Sequence, residues 1–175
     1  MNVRTVLGAV DRLNSAVGRA AVLLMLPMMG VLAYEVVARF VFNRPTVWGI
    51  EMTSIVFGVM VALLGGYALL HGQHVRVDIL FARLSDRGKA IVDTATSAVA
   101  FIFVGTLLWY TTAAAISSVA SREVAETVFA PPLYPLRIVM ASGVLLLFLQ
   151  MVAKLIRDFQ TIVQTNNNNQ GARND

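Results

Sequence analysis

The sequence predicts an all-α integral membrane protein with four transmembrane helices. The chain is 57% hydrophobic and only 14% charged, whereas a soluble domain usually has roughly a quarter of its residues charged because its surface faces water. Two long segments, Met52–Leu70 and Thr94–Ser121, contain no Asp, Glu, Lys or Arg. A helix needs about 20 mostly apolar residues to cross the hydrocarbon core, so segments of this kind place the chain in a membrane.

Apolar runs bounded by charged residues place the four helices near residues 19–42, 47–70, 92–120 and 133–156. Helices are predicted because lipid offers no partner to free backbone groups, and a barrel would need recurrent apolar–polar alternation. The first run stays apolar through Val41-Phe42 and is therefore interpreted as a retained span, because a signal peptide has a short core and a cleavage site.

The folded part is predicted to be one domain, residues 1–164. Residues 165–175 include four consecutive asparagines and have no apolar face to bury. They are predicted to form a disordered tail.

The distribution of basic residues predicts the orientation. The N-terminal segment, the 71–91 connection and the C-terminal end hold ten of the fourteen Lys and Arg residues. The other side holds Arg39, Arg44, Arg122 and Arg137. Because basic residues concentrate in cytoplasmic loops, both termini are predicted to be cytoplasmic. The same bias explains the net charge of +4 without any nucleic-acid binding.

The connection between the second and third spans is predicted to contain an interfacial amphipathic helix at about residues 75–91. On a helical wheel its apolar side chains share one arc, and Arg76, Arg83 and Arg87 cluster on the adjacent arc. A helix of this kind lies at the membrane surface with its guanidinium groups at the lipid headgroups. An ordinary basic loop remains the alternative.

Glu35 and Arg39 are ionisable residues inside the first span, four positions apart in the order that favours an intrahelical ion pair. Ionisable groups in a membrane often mark a functional site. We interpret the two residues as a structural pair in which Arg39 reaches the outer interface.

Trp48 and Glu51 follow at the start of the second span. Trp48 is interpreted as an interfacial anchor. Glu51 meets the positive end of the helix dipole and is expected to reach Arg39 or Arg44, which would fasten the outer ends of the first two helices.

The motifs of an enzyme or a metal site are missing from the sequence. His71, His74 and Asp78 have helical spacing, but a metal site needs three or four good donors and the chain has no cysteine. No nucleophile–base set and no phosphate-binding loop is present. We therefore predict neither catalysis nor a bound metal.

Small and aromatic residues suggest how the helices pack. Small residues that recur every fourth position allow helices to approach closely in lipid. This pattern occurs at Gly58, Ala62 and Gly66 in the second span and at Ala113, Ser117 and Ser121 in the third. Tyr67, Trp109 and Tyr110 are expected at the membrane–water interfaces.

Three segments together resemble a known family. They are YEVVARFVF at residues 34–42, WGIE at 48–51 and HVRVD at 74–78. Their order and spacing are similar to those of the small membrane subunit, called Q or DctQ-type, of tripartite ATP-independent periplasmic (TRAP) transporters. The resemblance covers about residues 15–160.

The resemblance implies a scaffold rather than a carrier. In this family the small subunit joins a large multi-span transport subunit, and a periplasmic substrate-binding protein delivers the substrate. The resemblance implies that the complex imports an organic acid across the bacterial inner membrane. It also implies that sodium ions bind to the large subunit and that this chain holds no cofactor. Arg39, Trp48 and Glu51 match the outer-side motif, and His74, Val77 and Asp78 match the cytoplasmic-side motif. With Glu35, the charged and aromatic residues of these motifs are our candidates for subunit contacts or structural roles.

Two other functions fit parts of the sequence less well. A homodimeric proton-coupled exporter would use Glu35 as its carrier carboxylate, but Arg39 one turn away would hold that group in its charged form. Transporters often contain helices broken near the midplane, and only Pro27 and the Gly65-Gly66 pair are candidates for a break. A haem-carrying anchor would need axial ligands that face one another inside the bundle, and both histidines lie at one end of a span.

Overall fold

The computed structural model describes residues 3–72 and 86–171, and within this part the regular structure is helical. The helices are α1 (Val3–Leu23), α2 (Met25–Phe40), α3 (Gly49–Leu70), α4 (Asp86–Ser121) and α5 (Tyr134–Gly171). Four stretches of the described residues are long and apolar enough to span a membrane: Thr5–Phe40, Gly49–Leu70, Thr96–Ser121 and Tyr134–Arg157. The prediction of an all-helical chain with four potential spans is confirmed.

The first span is broken once, by a turn at Leu24 between α1 and α2. Pro27 explains the break, because proline has no N–H to donate and its ring clashes with the carbonyl four residues earlier. Regular bonding resumes where the Met28 N–H donates to the Leu24 carbonyl over 3.2 Å. The other candidate for a break, Gly65-Gly66, lies within the uninterrupted helix α3.

The first helix begins at Val3, well before the predicted start near residue 19. Spans are predicted from apolar runs, and Asp11 and Arg12 interrupt any apolar run in this part of α1. The segment is helical because it is amphipathic. Its most buried residues, Leu7, Asn14 and Ala21, recur at intervals of seven along one face, as in a helix that packs along a neighbour.

Helix α5 lies between α3 and α4 and packs against both, while α1 packs against α3 and α5 and α2 packs against α3. The small residues of α3 explain part of this arrangement. A Cβ atom on Gly143 of α5 would lie 2.5 Å from the Ala62 carbonyl oxygen, and one on Gly66 would overlap the Asn14 side chain. Ala62 and Gly66 therefore pack inside this chain.

Replacing Gly66 with alanine is expected to destabilise the protein by about 1–3 kcal/mol, the usual cost of overpacking. The new methyl group meets the Asn14 amide oxygen, and the Leu146 carbonyl oxygen lies only 3.3 Å away. Asn14 cannot move aside easily because its amide is buried and hydrogen-bonded. Gly58→Ala on the same helix is the control, since its methyl group would enter open space. The midpoint of heat-induced loss of the monodisperse gel-filtration peak should fall only for Gly66→Ala; equal midpoints would contradict the packing described.

Two segments that the sequence predicts outside the spans are partly helical among the described residues. Residues 86–91 of the predicted interfacial helix form the beginning of α4, and residues 73–85 lie outside the described residues, so the interfacial helix stays a prediction. Helix α5 continues to Gly171, through most of the segment predicted to be a disordered tail. Extending an existing helix does not repeat the cost of nucleation, which explains how a polar sequence can continue the helix.

Candidate functional site

The connection between α2 and α3 positions a polar cluster around Glu35. Helix α2 ends at Phe40, and Asn43 follows with a φ of 49°. The Arg44 N–H donates to the Ala38 carbonyl over 2.9 Å. A left-handed residue with a bond of this kind ends many helices, and asparagine tolerates that conformation. The turn brings Thr46 back to the side of α2.

Glu35 is the centre of this cluster. It is only 5% exposed although it carries a carboxylate. One carboxylate oxygen accepts a hydrogen bond from Arg39 Nη2 over 2.8 Å. The other carboxylate oxygen accepts two hydrogen bonds from Thr46, one from its backbone N–H over 3.2 Å and one from its hydroxyl group. Three donors from two parts of the chain therefore bind one carboxylate.

Gly49 closes the cluster from the side of α3. Its N–H donates to Thr46 Oγ1 over 3.2 Å. A Cβ atom at this position would lie 2.7 Å from both Glu35 Oε2 and Thr46 Oγ1. Only glycine allows the start of α3 to lie this close to the carboxylate. We call Glu35, Arg39, Thr46 and Gly49 the Glu35 cluster.

Next to the Glu35 cluster, the rings of Tyr34 and Trp48 stack with centroids 6.0 Å apart and planes inclined by 22°. The stack joins the last turns of α2 to the residue just before α3. Trp48 is thus half-buried against the chain, and its position at a membrane interface stays a prediction.

Glu51 does not make the ion pair expected from the sequence. Within the described residues its Oε2 atom is shielded from solvent and has no hydrogen-bond partner, and Arg39 pairs with Glu35 instead. Glu51 lies two residues beyond Gly49, so at about 100° per residue it points away from the face of α3 that meets Glu35. Glu35 and Thr46, rather than Glu51, fasten α2 to α3.

A second polar network, which the sequence analysis missed, joins α1 to α5 near the other end of the bundle. Arg157 pairs with Asp11 over 2.5 Å. Gln150 donates to the second Asp11 oxygen over 2.9 Å and accepts from Asn14 Nδ2 over 2.8 Å. Asn14 and Gln150 are almost fully buried. The seven-residue spacing of Asn14 from Leu7 indicates a packed face of α1, but nothing in the sequence near Asn14 identifies Gln150 as its partner.

A third ion pair, also missed, holds the connection between α4 and α5. Arg137 Nη2 donates to Glu123 Oε1 over 2.5 Å. The Leu133 N–H donates to the Glu123 carbonyl, and Val124 and Pro132 form an isolated antiparallel bridge. Since the helices alternate in direction, this connection lies at the same end of the bundle as the Glu35 cluster.

The candidates that the sequence predicts on the cytoplasmic side are only partly within the described residues. The His71 ring contacts the Tyr67 ring at 4.1 Å, and His71 Nδ1 lies 2.9 Å from the Tyr67 carbonyl, as suits a residue that ends a helix. The remaining candidates, His74, Arg76, Asp78 and Arg83, lie outside the described residues. Arg87 lies in the first turns of α4, and its side chain is outside the described part.

The arrangement binds helices to one another. In each of the three places a carboxylate meets the guanidinium group of an arginine, and in two of them the pair joins separate helices or the ends of a loop. Charge pairs of this kind fix the relative register of helices in lipid, where unpaired polar groups are costly.

The comparison with protein families gives a match over most of the chain. The model described as tripartite ATP-independent periplasmic transporters, DctQ component, matches residues 28–161. This is more than half of the 175-residue chain, and it includes the Glu35 cluster and the Glu123–Arg137 pair. No curated protein matches the chain.

Proposed function

The chain belongs to the DctQ family of components of tripartite ATP-independent periplasmic transporters, and on that premise we propose that it is the scaffold subunit of such a transporter. It would pair with a large multi-span transport subunit and work with a periplasmic substrate-binding protein. The complex would import an organic acid by sodium symport. The sodium ions would bind to the large subunit.

The observation that carries this proposal is that both carboxylate oxygens of Glu35 already have hydrogen-bond donors within the chain. Three hydrogen bonds from Arg39 and Thr46 bind its carboxylate, and Gly49 packs directly against it. A group that carries a proton or cation must bind and release its cargo. Both oxygens of Glu35 are instead hydrogen-bonded within the connection between α2 and α3. A carboxylate held in this way suits a rigid framework.

The same observation disfavours the homodimeric exporter. In that mechanism Glu35 would have to exchange Arg39 and Thr46 for a proton or a substrate during each cycle. Each exchange would also open the turn that sets the position of α3.

The charge distribution supports an orientation for the scaffold in the bacterial inner membrane. With both termini in the cytoplasm, the Glu35 cluster and the α4–α5 connection face the periplasm. The Asn14–Gln150 network then lies toward the cytoplasm. Arg76, Arg83 and Arg87 would contact lipid headgroups there, near the candidate subunit contacts His74 and Asp78.

Trp48 and Glu51 are proposed as contacts with the large subunit at the periplasmic end. Glu51 lies about 200° around α3 from Gly49, which contacts Glu35, so its side chain is turned away from the Glu35 cluster. A charged side chain on another face of a membrane helix is costly unless it is paired, and a cationic group of the large subunit would pair with it.

Purification of the tagged chain from its native membrane in mild detergent tests the proposal. We expect a large multi-span membrane protein to be recovered with it in about equal amount, as obligate partners are. The control is the same purification after the membranes are dissolved in a denaturing detergent, which should release the partner. Recovery of the chain alone as a stable homodimer would contradict the scaffold function and favour the exporter.

A further inference from the structure

Trp109 and Tyr110 lie at an unexpected depth for exposed residues of a membrane helix. The span of α4 is Thr96–Ser121, which places both near its middle. At a rise of about 1.5 Å per residue, Trp109 is roughly 24 Å from Asp93 and roughly 20 Å from Arg122, the charged residues that bound the uncharged run. The expectation of an interfacial position suits Tyr67, near the end of α3, but does not suit this pair.

Both aromatic side chains project from the bundle. Trp109 is 75% and Tyr110 68% exposed, and neither makes a hydrogen bond within the described part of the chain. Tryptophan and tyrosine favour membrane interfaces because their polar groups reach water there. From mid-span neither group can cross half of a hydrocarbon core that is about 30 Å thick. Lipid is therefore a poor environment for the side chains of Trp109 and Tyr110.

The same face lies opposite the packing of α4 within the chain. Helix α4 packs against α5 through a side that includes the buried residues Val104, Ala115 and Ser118. Ala113 and Ser117 are exposed, and they lie on the opposite side together with Trp109 and Tyr110. We call these four residues the open face of α4. It combines two polar aromatic side chains with two small residues, Ala113 about one turn away and Ser117 about two turns away.

We infer that the open face of α4 is the surface on which a transmembrane helix of the large transport subunit docks, with hydrogen-bond acceptors for Trp109 and Tyr110 at mid-depth. The inference rests on the proposed function, which supplies the partner. A helix that packs closely on Ala113 and Ser117 also shields both polar groups from lipid.

A second copy of the chain fits this face less well. Two copies in one membrane share an orientation, so a two-fold interface sets each residue against its own counterpart. Trp109 and Tyr110 of both copies would then meet within one turn of Ala113. Four large rings would hold the helices apart where the small residues require them to be close. A partner of different sequence can place small side chains against the rings.

Photo-crosslinking from a single cysteine tests the inference. The chain contains no cysteine, so Ala113→Cys gives the tagged chain a single thiol that can be labelled with benzophenone maleimide in membranes that contain the whole transporter, and adducts are identified through the tag. Val61→Cys is the matched control, because it is exposed near the middle of α3. We expect the Ala113→Cys adduct to contain the large subunit, at a yield clearly above that of the control. An adduct of two copies of this chain, or a yield no higher than the control, would overturn the inference.

A second measurement uses variants that remove the polar groups and keep an aromatic ring at each position. Trp109→Phe with Tyr110→Phe should lower the recovery of the large subunit by roughly threefold to tenfold, the size expected for interhelical hydrogen bonds in lipid. Tyr134→Phe removes the same hydroxyl at the start of α5, where water can replace it, and should leave recovery unchanged. Unchanged recovery for the double variant would argue against docking at this face.

The two proposals can fail separately. If the wild-type chain never co-purifies with a large subunit, the scaffold function itself is wrong. If it does co-purify but the Ala113→Cys probe labels only lipid, the scaffold function stands and the docking surface lies elsewhere.

Discussion

Replacing Gly143 with alanine is expected to push α5 away from α3 and to destabilise the protein by about 1–3 kcal/mol, as overpacking of a tight contact does. The added Cβ atom would lie 2.5 Å from the Ala62 carbonyl oxygen and 2.6 Å from its carbonyl carbon. Both are backbone atoms of a helix, so no rotamer change can relieve the overlap. The two helices must separate, and the contact between α3 and α5 is the most extensive helix contact among the described residues.

Gly105→Ala is the matched control for this variant, because nothing lies within 4 Å of the position that its methyl group would occupy. Alanine in a helix interior is favoured over glycine by about 0.5–1 kcal/mol, so this control should be neutral or slightly stabilised. Both variants would be heated in detergent and the monodisperse fraction measured by gel filtration. A Gly143→Ala midpoint equal to that of Gly105→Ala would show that α3 and α5 are not packed as described.

The four spans were predictable because each depends on the local sequence. An uncharged run such as Thr94–Ser121 leaves few alternatives to a membrane helix. The N-terminal part of α1 was not predictable in this way, since its helix is stabilised by packing against α3 and α5. Asn14 and Gln150 are 136 positions apart, and no local pattern in either segment indicates the other.

The Glu35 cluster was predictable in part for the same reason. Glu35 and Arg39 share one helix, so their spacing alone predicts the ion pair. The role of Thr46 depends on the path of the turn after Asn43, which the sequence leaves undetermined. The expected partner of Glu51 could not be tested on local sequence, because it depends on which face of α3 meets α2. Gly49 is on that face, and Glu51 is about 200° away from it, while Arg39 pairs with Glu35.

The substitution Glu35→Gln is expected to have the largest effect on assembly among conservative changes at the proposed periplasmic end. Arg39 and both Thr46 groups that face the carboxylate are donors. A glutamine amide has one acceptor oxygen and one NH₂ group, so a donor would face a donor on one side of the side chain. The turn that positions Gly49 and Trp48 should loosen, and the recovery of the large subunit with the tagged chain should fall well below that of the wild type.

Glu126→Gln makes the same chemical change on an exposed residue of the α4–α5 connection, and recovery of the large subunit should stay at the wild-type level. The pair of variants therefore separates loss of the Glu35 cluster from a general loss of negative charge at this end. Glu35→Gln should also lower the heat resistance of the chain purified alone, because α2 and α3 are joined there within a single subunit. If Glu35→Gln assembled normally and kept its heat resistance while the reconstituted transporter lost sodium-driven uptake, the carboxylate would act in transport and the scaffold role proposed for it would be wrong.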